Sequence, residues 1–194
     1  MNDQHANLAE CAAEAARVAR GIRPDQLAGP TPASDWDVRT AVDHWVLYTS
    51  HGLEHRARRT TLPEELVSRD FAAEPDWAEA YAAQLDRAVA AWADPAAWVG
   101  EVDLGGTPMP AASIVEMIMM ELALHGWDVA RSTGQDYRIS EKTGEDLVRI
   151  VGDFAEMFRQ YDGFAAPVPL AAGASAFDRA LALSGRDPRW VPGN

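Results

Sequence analysis

MELALHGWDVARSTG, residues 120–134, decides how this chain reads. Glu121 stands inside one of its most apolar helical runs, with His125 one turn later. Ile114, Val115, Met117, Ile118, Met119 and Met120 precede the pair, and Leu122, Ala123, Leu124 and Trp127 surround it. A helix apolar almost all round is buried, or nearly so, and a carboxylate placed there is costly unless something pairs with it. Positions i and i+4 project from one helix face, so Glu121 and His125 face the same neighbour. The helix alone leaves three readings open: a simple Glu–His hydrogen bond, a buried carboxylate satisfied by an arginine elsewhere, or a metal site, since helical bundles build such sites from carboxylate and imidazole at this spacing.

Working outward, Pro108 and Pro110 precede this helix, which spans roughly 111–133 with Gly134 as its C′ residue. Upstream, Leu8, Cys11, Ala12, Ala15, Val18, Ala19 and Ile22 repeat at helical spacing over 5–22, and Cys11 reads as a small buried hydrophobe. RPDQLAGPTPASDW is a loop. Asp35 or Asp37 then caps a second helix running to about Arg59, with Val38, Val42, Trp45, Val46, Thr49 and Leu53 as its apolar face. Asp76 with Glu79 three residues on has the form of a capping box, opening a third helix with Tyr81, Leu85, Ala88, Val89 and Trp92 on its stripe. WVGEVDLGG, 98–106, alternates weakly, as a short strand or hairpin arm does. Ser140 caps a fifth helix with Leu147, Ile150, Val151, Phe154, Met157, Phe158 and Tyr161 at helical spacing, and a short C-terminal helix follows near 175–184. The expected fold is all-α, an up-down four-helix bundle with a long crossover plus a short C-terminal helix. With no internal repeat or linker in view, residues 1–194 read as one domain.

Composition narrows the function classes. The 194 residues carry a net charge of −13, which argues against nucleic acid and anionic membrane surfaces as partners. No stretch approaches the ~18–20 apolar residues of a membrane span, and MNDQHANLAE has neither the basic nor the apolar region of a secretory signal. A single cysteine excludes an internal disulfide and suits a reducing cytoplasm. Of 17 basic residues only Lys142 is a lysine, the usage of a GC-rich genome. The partner to expect is a small molecule, and a homodimer is compatible with all of this.

Two ligands are not a metal site, so a third is sought on another helix. The second helix carries His44, His51 and His55, with Tyr48 between them, at spacings that set the imidazoles on one stripe. His44 and His51 lie about 10 Å apart along the axis, too far to share one ion. His51 and His55 could chelate a surface ion or simply be solvated. At about 100° per residue, His44 lies away from the centre of the apolar face, and periodicity would not choose it over His51.

WDVRTAVDH (36–44), GGTPMPA (105–111), ELALHGWDVA (121–130) and LALSGRDP (181–188) together resemble the single-domain metal-binding relatives of mycothiol-dependent maleylpyruvate isomerase, within the DinB-like superfamily. The resemblance touches most of the chain beyond the first helix and implies a four-helix bundle. Carried over by position, it implies that His44, Glu121 and His125 are metal ligands. Asp128 matches a characteristic family position one turn beyond His125, which suits a group that orients a ligating imidazole as well as it suits a local cap. On this resemblance the partner of Glu121 is a divalent metal. Two histidines and a carboxylate with an open position suit Zn²⁺, and Ni²⁺ or Fe²⁺ remain alternatives.

Three function classes follow. In the first, a metal-bound low-molecular-weight thiol ionises at neutral pH and attacks an electrophilic small molecule, a thiol S-transferase. Mycothiol is the cosubstrate the resemblance implies. RARR, 56–59, is a candidate basic rim for it, although a helix C-terminus attracts arginine anyway. The second is a metal-dependent hydrolase using activated water, with Asp128 or His51 as the base. The third is a bundle that binds metal or ligand without catalysis. The two-domain isomerase of the family carries a further C-terminal domain that this chain is expected to be too short to contain, which sets maleylpyruvate isomerisation itself behind the other readings.

Overall fold

The computed structural model describes residues 3–33, 35–103 and 107–193. They form two units, Met1–Tyr137 and Arg138–Asn194.

In the first unit the helices are α1 (Asp3–Arg20), α2 (Val38–Val46), α3 (Gly52–Ala57), α4 (Glu64–Val67), α5 (Trp77–Ala91) and α6 (Ala111–Ser132). A π-helical turn, Leu47–His51, joins α2 to α3 in one interrupted rod. α1 packs against α5 and α6, while the α2–α3 rod packs against the same two helices, so α1 and the rod lie diagonally across the bundle. This is the expected four-helix bundle, and the diagonal placement is what makes the α1-to-α2 connection a long crossover. In the second unit α7 (Glu141–Gln160) packs against α8 (Ala176–Leu183). The long, strongly amphipathic fifth helix of the sequence is therefore not one of the bundle's four.

The apolar stripes make the core. Leu8, Cys11, Ala15 and Val18 of α1 are sealed from solvent, and burial pushes the Cys11 thiol far up, so Cys11 behaves as a small hydrophobe. Val38, Val42, Trp45, Val46, Thr49 and Leu53 are likewise buried along the rod. Two tryptophans stitch the helices together: Trp45 Nε1 donates to Leu122 O at 3.0 Å, and Trp92 Nε1 to Leu53 O at 2.9 Å.

Several local expectations are corrected. α1 stops at Arg20 because its last turn tightens into i→i−3 bonds, Gly21 N to Val18 O and Ile22 N to Ala19 O, which leaves Ile22 outside the helix. The second helix is not continuous. Thr49 Oγ1 bonds Trp45 O at 2.5 Å and Ser50 Oγ bonds Val46 O at 2.6 Å, hydroxyls competing for the i−4 carbonyls where the π turn forms. Asp76 stands at the N-cap of α5 without a side-chain bond, and Glu79 is drawn instead to Arg20 at 2.8 Å. In α7, Met157 and Tyr161 are 37% and 81% exposed, because the apolar stripe stops at Ala155 and Tyr161 lies past the last helical residue.

The weakly alternating segment is half of a hairpin: β1 (Glu101–Asp103) pairs antiparallel with β2 (Pro108–Pro110), Val102 opposite Met109. Leu104, Gly105 and Gly106, which belong to the expected arm and to the GGTPMPA motif, lie outside the described residues. α6 ends as its sequence indicates, with Gly134 at φ 72° just past the C-cap Thr133.

Of the two candidate caps for α2, Asp37 is the one used: its carboxylate accepts from Thr40 N at 2.8 Å. Asp37→Ala should cost about 1 kcal/mol in urea denaturation, while Asp35→Ala should be near neutral. Equal effects would discard this assignment.

Candidate metal centre

α2 and α6 bring three donors together. His44 Nε2 lies 3.4 Å and His125 Nε2 3.1 Å from the same oxygen, Glu121 Oε2. One donor atom from each of the three residues falls within 4.8 Å of the others, the one such cluster of three among the described residues. The Trp45–Leu122 bond holds the two helices in register one residue along from both His44 and Glu121. Side-chain exposures of 27%, 19% and 13% for His44, Glu121 and His125 leave the centre reachable by a small molecule.

The residues fit a divalent ion. A tetrahedral ion with bonds near 2.1 Å holds its ligand atoms about 3.4 Å apart, close to the two separations found here. Two imidazole nitrogens and one carboxylate oxygen are the donor set of several catalytic zinc sites, with further coordination open to water or substrate.

Without an ion the cluster is an ion-pair network. Burial opposes the charge on Glu121, but the imidazoles of His125 and His44 outweigh it and hold the carboxyl well below its usual range. Burial likewise opposes charge on His125, yet the carboxylates of Asp128 and Glu121 lift its pKa from 6.5 to about 9. Asp128 is almost fully buried, with Oδ2 3.3 Å from His125 Nδ1. Nδ1 has no hydrogen-bond partner of good alignment, so this is a charge contact rather than a linear hydrogen bond. Asp128 thus stands behind the imidazole whose Nε2 faces the centre, the position from which a carboxylate orients a ligating ring.

Two aromatic residues complete the wall. Trp36 stacks against the His125 ring at 5.5 Å and leans on His44 at 4.8 Å, while Tyr48 meets the His44 ring at 4.7 Å. Helical periodicity gave no signal for Trp36, because it precedes the α2 N-cap and lies on no helix face.

The other histidines are elsewhere. His51 stacks on Phe71 at 5.4 Å, and burial together with the nearby Arg69 cation lowers its pKa to about 4. His55 Nδ1 is 2.8 Å from Thr60 Oγ1. The stripe of three histidines therefore does not act as a unit, and His44, which periodicity made peripheral, is the one that reaches the centre. His51 should instead make the protein acid-sensitive. Its folded pKa lies below the unfolded value, so stability is lost as pH falls from about 6.5 towards 4. A His51→Phe protein should show a flatter thermal-denaturation profile across that window, and an unchanged slope would remove His51 as the cause.

Residues 8–130 match the mycothiol maleylpyruvate isomerase N-terminal domain family. The chain belongs to that family. The fold is similar to that of a solved structure described as the mycothiol-dependent maleylpyruvate isomerase. The two superpose with a TM-score of 0.67 over 97% of this chain and 90% of that chain, at 16% sequence identity. Two uncharacterized proteins from strains of Mycobacterium tuberculosis are each 32% identical over 116 residues, 59% of this chain. The chain spans 58% of the length of these curated relatives. The structural match corrects one expectation. A missing C-terminal domain would leave much of the isomerase uncovered, yet 90% of it is covered.

Proposed function

We propose that this chain is a divalent-metal-dependent thiol S-transferase, with His44, Glu121 and His125 holding the metal, Zn²⁺ before Ni²⁺ or Fe²⁺, and with mycothiol or a similar small thiol as cosubstrate. The observation that carries the reading is the convergence of two imidazoles and one carboxylate from two helices around one point. The chemistry a divalent ion supplies in such a setting is ionisation of a thiol at neutral pH.

The chain's own residues do the rest. Asp128 keeps His125 turned with Nε2 towards the centre. Trp36 and Tyr48 flank the imidazoles and limit water there, while the partial exposure of His44 leaves an entry for the substrate. The family membership and the fold neighbour's description support mycothiol as the thiol. The hydrolase alternative is weakened, since His51 is engaged with Phe71 and Asp128 stands behind His125, so neither is placed as a base for water.

The coverage of the solved isomerase favours a second reading, in which the thiol adds to an unsaturated substrate and leaves again, giving net isomerisation. The two readings differ in whether sulfur stays in the product. Metal-loaded protein incubated with mycothiol and an electrophilic alkene should give a thioether detectable by mass spectrometry. An isomerised alkene with the thiol regenerated supports the second reading, and no reaction with any thiol discards both.

A further inference from the structure

The RARR segment separates into distinct roles. Arg58 pairs with Glu54 at 2.6 Å. Arg59, in the left-handed region at φ 55°, donates to Ala97 O and Val99 O, each at 2.9 Å. The Arg56 side chain forms no hydrogen bond or ion pair among the described residues, and its Nε is buried without a partner. A half-buried guanidinium left in this state is an incomplete arrangement, because a desolvated donor without an acceptor is costly.

The slot that holds it is specific. Gly52 has ordinary helical dihedrals, φ −56° and ψ −42°, so its glycine is not required by the backbone. A Cβ there would collide with Arg56 Nη1, so the missing side chain is what lets the guanidinium fold back along the helix. That direction runs towards Tyr48, whose ring contacts His44. Arg56 also lines a cavity of about 650 Å³, together with His55, Thr60, Thr61, Glu101 and Asp103. This volume is typical of small-molecule sites.

We propose that this cavity is a carboxylate subsite, with Arg56 as the anchor for an organic-acid substrate. A guanidinium presents a planar fork that matches a carboxylate with two parallel hydrogen bonds. Glu101 and Asp103 line the same cavity, which disfavours the double charge concentrated on one phosphate monoester group more than the single charge of a carboxylate. The word substrate rests on the function proposed above, whereas carboxylate binding rests on Arg56 and the cavity alone.

The probe is succinate, with uncharged succinamide as control, titrated into metal-free protein and followed by the NMR resonance of the Arg56 Nε–H. Succinate should move that resonance saturably and succinamide should not. Arg56→Gln should weaken succinate binding by at least about tenfold, and Gly52→Ala, which keeps the charge but blocks the slot, should weaken it several-fold. Glu121→Gln should bind succinate as the wild type does, so loss of metal binding and loss of this subsite are read separately. An unmoved Arg56 resonance, undiminished binding by Arg56→Gln, or succinate binding that disappears in Glu121→Gln would each overturn the proposal.

Discussion

Glu121→Gln protein, reconstituted with Zn²⁺ beside the wild type, is expected to retain less than about a tenth of the wild-type metal by elemental analysis. The wild type should approach one ion per chain. Glutamine keeps the shape but loses the charge that both imidazoles face, at 3.4 and 3.1 Å from one oxygen. His44→Ala and His125→Ala should lose metal similarly, because each leaves only two donors. His55→Ala should not, since His55 is turned to Thr60. Full retention by both His44→Ala and His125→Ala would discard the triad. A wild type that stays metal-free after reconstitution would leave Glu121 as an ion-pair residue between two histidines and remove the basis of the thiol-transfer reading.

The second large effect is the loss of a pH dependence on metal binding. In the metal-free protein His125 has its pKa raised from 6.5 to about 9, so its contribution to stability is complete below pH 6.5 and fades as pH rises through 9. The ceiling on that contribution is on the order of 3 kcal/mol, and the attraction to Glu121 within it is counted once, not again for the carboxylate. Glu121 works in the opposite direction: its contribution is present above its ordinary pKa and is lost only in strong acid. Metal-free protein should therefore lose several degrees of Tm between about pH 6.5 and 9.5. Metal-loaded protein should instead hold its Tm over the same interval, because metal and proton compete for the imidazole nitrogens and a metal-bound imidazole has no proton left to lose. Scanning calorimetry of both forms decides it. Parallel profiles would mean that the ion does not bind through His125. Asp128→Asn should shrink the metal-free effect, since it removes the negative charge 3.3 Å from His125 Nδ1.

Much of this protein is written locally. The apolar stripes of α1, the α2–α3 rod, α5 and α6 foretell a bundle, because 3.6-residue periodicity is a property of each segment by itself. Caps at Asp37 and Ser140 and the glycine past α6 are equally local, set by backbone groups within a few residues. Glu121 and His125 could be paired from spacing alone, one turn apart on one helix. The third member could not. On a regular helix His44 drops off the buried face, and its place beside Glu121 follows from the packing of α2 on α6, pinned by Trp45 on Leu122. The π turn, fed by Thr49 and Ser50, parts His51 and His55 from His44, which no uniform angle per residue could anticipate. Trp36 joins the site from outside any helix, and Glu79 leaves its expected cap for an arginine 59 residues away. Arg56 differs from Arg58 and Arg59 only in what surrounds it. Short-range order follows from neighbours along the chain, whereas the site depends on contacts between residues as far apart as His44 and Glu121, and those exist only once the helices have packed.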